Sequence, residues 1–151
     1  MKIKPEVFLS LKNNIVYNKI LVTGSDESFI SYVKNFTIKE FKKRGFFIDF
    51  SNNYNDGSIG NLFSEKKTLF VLSDFPAIEE INSEESGNKS VLVASPNGKK
   101  INLIKTKLSK DKGSLVVECY SLNRNSKENI LKNYIEKNNL ILSNDVFWYV
   151  V

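Results

Sequence analysis

The sequence predicts an α/β protein, a three-layer sandwich around a mainly parallel, five-stranded sheet, and three observations carry that expectation. Five short runs rich in β-branched and aromatic residues recur along the chain, each nearly unbroken in apolarity, as strands covered on both faces should be. Between several of them lie longer stretches with apolar residues three and four apart, the spacing of an amphipathic helix. At 151 residues, 41% hydrophobic and 12% aromatic, the chain can bury one substantial core but is too short for two ordinary domains. Strand and helix in alternation imply parallel pairing through right-handed crossovers.

The first run is KILVTG (Lys19–Gly24). The stretch that follows, ESFISYVKNFTIKEFKKRG, places Phe29, Ile30, Val33, Phe36, Ile38 and Phe41 mainly at helical intervals. Ser25 or Asp26 can cap its start, Gly45 can stop it, and Lys42, Lys43 and Arg44 complement the dipole at its end. FFIDF (Phe46–Phe50) is the second strand, TLFVLS (Thr68–Ser73) the third, SVLVASP (Ser90–Pro96) the fourth and SLVVECY (Ser114–Tyr120) the fifth.

NSEESGN (Asn82–Asn88), acidic and without an apolar residue, reads as a loop. GKKINLIKTKLSKDKG predicts a helix with Ile101, Leu103, Ile104 and Leu108 inward and Lys99, Lys100, Lys105, Lys107 and Lys110 mostly outward. NSKENILKNYIEKNN predicts another, with Ile130, Leu131, Tyr134 and Ile135 as its apolar stripe. SNDVFWYVV opens on a cap at Ser143 or Asn144 and ends within a strongly apolar first turn, so the chain is expected to be a fragment of something longer.

Composition removes whole classes of chemistry. There is no His and a single Cys, Cys119, which excludes disulfides, Cys/His zinc sites and every His-based catalytic arrangement within this chain. Cys119 sits in the apolar run LVVECY, the setting of a buried reduced thiol rather than of a nucleophile. No apolar stretch approaches the length needed to cross a bilayer and the N-terminus has no signal-peptide pattern, so a cytoplasmic protein without membrane contact is expected. The net charge of +5, from dispersed Lys, favours a polyanion without demanding one.

The first strand-to-helix turn, TGSDESF, stands where nucleotide-binding folds cradle phosphate on glycines, backbone N–H groups and a Lys. Here Gly24 is the only glycine, and Asp26 and Glu27 open the helix. Each carboxylate would repel a phosphate a few Å away by about 1 kcal/mol or more at intermediate dielectric. The pair reads more simply as favourable to the helix dipole than as a metal site. Asp49, Asp56, Asp74, Glu79 and Glu80 fall at or beyond strand ends, where open α/β sheets place active sites, but none has the spacing of a loop motif. The Lys99 to Lys112 stretch lacks the aromatic residues of a single-strand binder. Its Lys99, Lys100 and Lys105 can still meet a DNA backbone, although a solvated helix face is the simpler reading.

One segment resists this scheme. SIGNLFSEKKTLFVL (Ser58–Leu72) puts Ile59, Leu62 and Phe63 in a connection with Gly57, Gly60, Asn55 and Asn61, each unfavourable to a helix by several tenths to about 1 kcal/mol. Burying Leu and Phe is worth roughly 1.5 to 3 kcal/mol apiece, enough to dock this turn on its own core or to anchor a partner. Energetics alone favours the core.

The order and wording of the elements add a second line. KILVTGSDESFI, LFSEKKTLFVLSDF, SVLVASPNGKKINLIKTKL and VVECYSLNRNSKENILKNYIEKNNLILSNDVFWYVV, taken together and spanning nearly the whole chain, resemble the delta subunit of the bacterial DNA polymerase III clamp loader, in its N-terminal domain. The resemblance implies an AAA+/P-loop-like topology without a functional P-loop, no ATP or other cofactor, and no catalytic or metal-ligating residue. It implies residues 1–140 as the clamp-binding domain and 141–151 as the start of a second, helical domain. The expected partners are the sliding clamp (the beta subunit) and, through a missing C-terminal part, the other clamp-loader subunits of the DNA polymerase III holoenzyme. The family's clamp contact is an apolar pair before the third strand, here Leu62 and Phe63. Gly60 stands where a further anchor is usual, with Ile59 one step away and Ser58 at the motif's start. The competing reading is a doubly wound enzyme acting on a nucleotide or another phosphorylated small molecule.

Overall fold

The computed structural model describes residues 1–11, 17–50, 67–73 and 88–150. In chain order the elements are β1 (Lys2–Ile3), α1 (Pro5–Ser10), β2 (Lys19–Gly24), α2 (Glu27–Lys43), β3 (Phe47–Asp49), β4 (Thr68–Leu72), β5 (Lys89–Pro96), α3 (Lys99–Lys110), β6 (Ser114–Cys119), α4 (Arg124–Lys137) and α5 (Asn144–Val150). The strands form one sheet in the order β1-β6-β2-β5-β4-β3, parallel at every pairing. This is the expected three-layer α/β architecture, with six strands instead of five.

The sixth is β1, which pairs Lys2 with Val116 and Ile3 with Val117 on β6. Two residues are too few to show a period, so the sequence pattern is blind to it. Backbone and terminus hold it: the Met1 ammonium donates to the Ser114 carbonyl at 2.7 Å, and the Val116 N–H donates to the Met1 carbonyl at 2.9 Å.

β2 lies between β5 and β6, and all six of its residues are buried. Its alternation sorts the two cores. Ile20 and Val22, with Leu69, Val71, Leu92, Leu115, Val117 and Cys119, face Phe8 of α1 and Phe29, Ile30, Val33 and Phe41 of α2. Leu21, with Leu72, Val91, Val93 and Val116, faces Ile101, Ile104 and Leu108 of α3. A one-residue slip of β2 would exchange the two sets, so burial on both sides fixes the register.

α2 is the best-specified helix. Of the two candidate caps it uses Asp26, whose carboxylate accepts from the Phe29 N–H at 2.9 Å. Its C-terminus runs into Gly45 at φ +81°, a left-handed position a glycine adopts without strain. Arg44 then lies 5.3 Å from the Phe41 ring and 5.5 Å from that of Phe46, and the two rings meet edge to face at 4.9 Å. Phe29, Ile30, Val33 and Phe41 are buried as the spacing predicts, while Phe36 and Ile38 are half-buried at the margin.

Two expected stripes need correction. Leu103, expected inward, is 69% exposed, because Ile101, Ile104 and Leu108 already form the face of α3 and position 103 falls on the other side. In α4 none of Ile130, Leu131, Tyr134 and Ile135 is buried; Ile130 packs half-buried against the main core and Tyr134 is exposed.

At the margins, charge takes over from apolar packing. Glu40, its side chain only 4% exposed, accepts from Lys43 at 2.9 Å and Lys137 at 3.3 Å. Glu118 binds Lys105 of α3 at 2.8 Å and also Lys2 of β1. Asp111 accepts from the Ser114 hydroxyl at 2.6 Å, the Gly113 N–H at 3.1 Å and Lys19 at 3.3 Å. Burial opposes the charge on Glu40 and Glu118, but their lysines outweigh it, and both carboxyls titrate below their ordinary value of 4.5. For Asp111 the Ser114 hydroxyl is the largest influence; it exceeds the opposing effect of burial and holds the carboxyl below 3.8.

All three acids are therefore weaker proton binders in the folded state than in the unfolded one. The stability they add is fully present above about pH 5 and drains away as pH falls through their depressed folded values. Calorimetric unfolding between pH 7 and 3 should show a declining transition temperature in that acid range, and Glu40→Gln and Glu118→Gln should each flatten the decline.

Candidate functional site

The C-terminal end of β2 is where this class of fold places its chemistry. The turn from β2 into α2 is drawn tightly against the end of β6. The N–H groups of Ser25 and Asp26 both donate to the Cys119 carbonyl, at 3.1 and 3.2 Å. Gly24, at φ +156°, makes that approach feasible: a Cβ at this position would stand 1.8 Å from the Cys119 oxygen. From the other side the Asn97 N–H donates to the Gly24 carbonyl at 2.9 Å, and the Thr23 hydroxyl reaches the Asn97 side-chain oxygen at 3.2 Å.

These contacts decide what the turn can do. A phosphate cradle needs free backbone N–H donors at a helix N-terminus. Here the Ser25 and Asp26 donors are taken by a carbonyl, and the Phe29 N–H, in the first turn of the helix, is taken by the Asp26 carboxylate. An anion seated on these three donors would displace three hydrogen bonds and meet the Asp26 carboxylate. The turn is a joint between strands and helix.

Cys119 is the nearest reactive group. It is fully buried, and burial first, then the Asp26 carboxylate, pushes its thiol up to about 12. Near neutral pH it is a protonated, packed side chain. Among the described residues no three of His, Cys, Asp and Glu stand together in a way that could hold a metal, and no helix is long and apolar enough to cross a membrane.

The other candidates scatter. Asp49 ends β3 and makes contacts of its own. Asp56, Asp74, Glu79 and Glu80 lie outside the described residues, as do the anchor candidates Ile59, Leu62 and Phe63 and the neighbouring Ser58 and Gly60. Lys99 and Lys100 are exposed in the first turn of α3, whose cap, Gly98, offers no side-chain acceptor and whose first turn has no acid. Lys105 is turned the other way, into its ion pair with Glu118. Neither that tie nor the Cys119 carbonyl acceptor leaves a pattern in the residues; the one signal is the lone Gly24 in an otherwise glycine-poor turn.

The chain matches no family model and no curated protein. Among solved structures it is similar to the replication initiator DnaA bound to AMPPCP and single-stranded DNA, at 19% identity and a TM-score of 0.43, over 96% of this chain and 53% of that one. It thus spans about half the length of that structure.

The buried thiol yields a direct check. In the folded protein at pH 8, Cys119 should be alkylated by iodoacetamide at least about a hundredfold more slowly than in denaturant, as expected for a thiol both shielded and held protonated. Mass spectrometry of timed quenches measures this.

Proposed function

We propose that this chain is a non-catalytic clamp-loader component of the delta-subunit kind, which binds the DNA polymerase sliding clamp through Leu62 and Phe63, with Ile59 beside them, and helps open the ring during replication. The observation that carries the reading is the closed turn between β2 and α2: the fold keeps the frame of a nucleotide-binding domain while its phosphate donors serve the Cys119 carbonyl. A subunit that acts by holding a partner needs the frame and not the nucleotide. The ordered resemblance of four segments to the delta family supports the choice of partner. In this reading residues 1–140 are the clamp-binding domain, residues 141–151 lead into a helical domain that joins the other subunits, and the protein works in the cytoplasm.

The mechanism is differential binding. Leu62 and Phe63 fall between β3 and β4 in a stretch poor in helix formers, where two large apolar side chains can enter a hydrophobic pocket on the clamp. A partner shifts a conformational equilibrium only by binding one state more tightly. Docking the pair against a sprung interface favours the open ring, and this chain makes and breaks no bond.

The doubly wound enzyme would need the Ser25 and Asp26 donors released from Cys119, which sets it behind. A second contact is favoured by one observation. The 12 residues of α3 include five lysines and no acid, and Lys99 and Lys100 stand exposed at the end of the helix dipole least suited to them. That face suits a DNA phosphate backbone.

Isothermal calorimetry with the cognate clamp should give saturable binding that Leu62→Ala with Phe63→Ala reduces at least a hundredfold, on the order expected for two central apolar anchors, with little change in melting temperature. Equal binding by the double variant would remove the proposal. For the DNA contact, anisotropy with a labelled duplex should show affinity that falls steeply with salt, and Lys99→Glu with Lys100→Glu should make the slope shallower by about two. A flat titration at low salt would dispose of it.

A further inference from the structure

α4 is attached to the body differently from α2 and α3. None of its 14 residues is buried, and its apolar anchorage to the main core is the half-buried Ile130. Polar contacts hold its two ends. Near the start the Ser126 hydroxyl donates to Glu6 of α1 at 3.1 Å. At the finish Lys137 donates to Glu40 of α2 at 3.3 Å, with its ammonium 4.5 Å from the centre of the Phe36 ring. Alongside that second attachment runs a cleft of about 290 Å³, bordered by Tyr32, Phe36 and Lys39 on one side and Tyr134 and Lys137 on the other. The C-terminal half of α4 thus bridges an opening and does not fill it.

α4 also carries contacts to α5, beside those it makes with α1. The Arg124 guanidinium lies 5.1 Å from the Trp148 ring and the Lys132 ammonium 6.0 Å from that of Phe147. The helix also carries its own cap, since the Asn123 side chain accepts from the Ser126 N–H at 2.8 Å. These bonds survive if α4 leaves the body.

We propose that α4 and α5 are a latched arm, which undocks about the Tyr120–Asn123 connection while the sheet stays folded, with the Lys137 to Glu40 contact as the latch. Few buried apolar contacts and attachment through a handful of polar contacts are the marks of a segment that opens well below the global unfolding free energy. Glu40 suits the role because it keeps Lys43, on its own helix, as a second cation when Lys137 departs, so opening does not strand a bare buried charge. Ile141 and Tyr149, 99% and 93% exposed, ride on the arm, and opening re-aims them. The inference does not depend on the clamp reading.

Native-state hydrogen exchange followed by mass spectrometry tests it. In the unaltered protein, amides of Ile130 to Lys137 should exchange through an opening that leaves β2 and β6 protected. Lys137→Met, which keeps the aliphatic stem and removes the charge, should speed exchange of α4 about tenfold or more, the scale of a charge-assisted hydrogen bond, with β2 and β6 unchanged. Lys43→Met deprives Glu40 of its other cation without touching α4, so that opening would strand a buried charge, and should slow exchange of α4. The proposal is overturned if α4 exchanges only together with the sheet, if Lys137→Met has no effect on α4, or if both variants accelerate it equally.

Discussion

The Cys119 carbonyl, receiving two N–H groups from the turn after β2, is the contact on which the arrangement of this molecule depends. It joins the end of the central strand, the start of α2 and the end of β6 at a single atom. Only glycine at position 24 permits the approach, since any side chain would fall within bonding distance of that oxygen. The rest follows from it. α2 leaves the sheet at an angle that lays Phe29, Ile30, Val33 and Phe41 over one face, and the donors of a nucleotide-binding turn are directed inward, onto the protein itself.

Much of this could be read from the residues. The strand runs, the α2 stripe and the alternation of strand with helix all came through, because burial on two faces writes a strong and local pattern. The Gly24 turn could be recognised as unfit for phosphate from Asp26 and Glu27 alone. What could not be read was how the donors are disposed of instead, because the acceptor lies 94 residues away, on a carbonyl that any residue possesses. Leu103 and the α4 stripe were misplaced for a related reason. A pattern counts apolar residues but does not know how much of a helix the sheet can cover, and α4 sits beyond the edge of that cover.

The periphery is organised on a different principle from the centre. Where the two cores thin out, Glu40, Glu118 and Asp111 each gather donors from separate elements: α2 with α4, β6 with α3 and β1, and the α3–β6 connection with β2. Such contacts are directional and individually modest, and they bind parts that apolar area would not hold. They also leave those parts more responsive to solution conditions than the sheet is. The candidate anchors Ile59, Leu62 and Phe63 lie outside the described residues.

The two margins of the sheet have a consequence for behaviour in a crowded solution. β1 offers two residues and β3 three, against six to eight in the strands at the centre. Among the described residues a stray chain seeking to extend the ladder finds only a short edge strand on either flank, one of the ways in which a sheet limits pairing with its own kind.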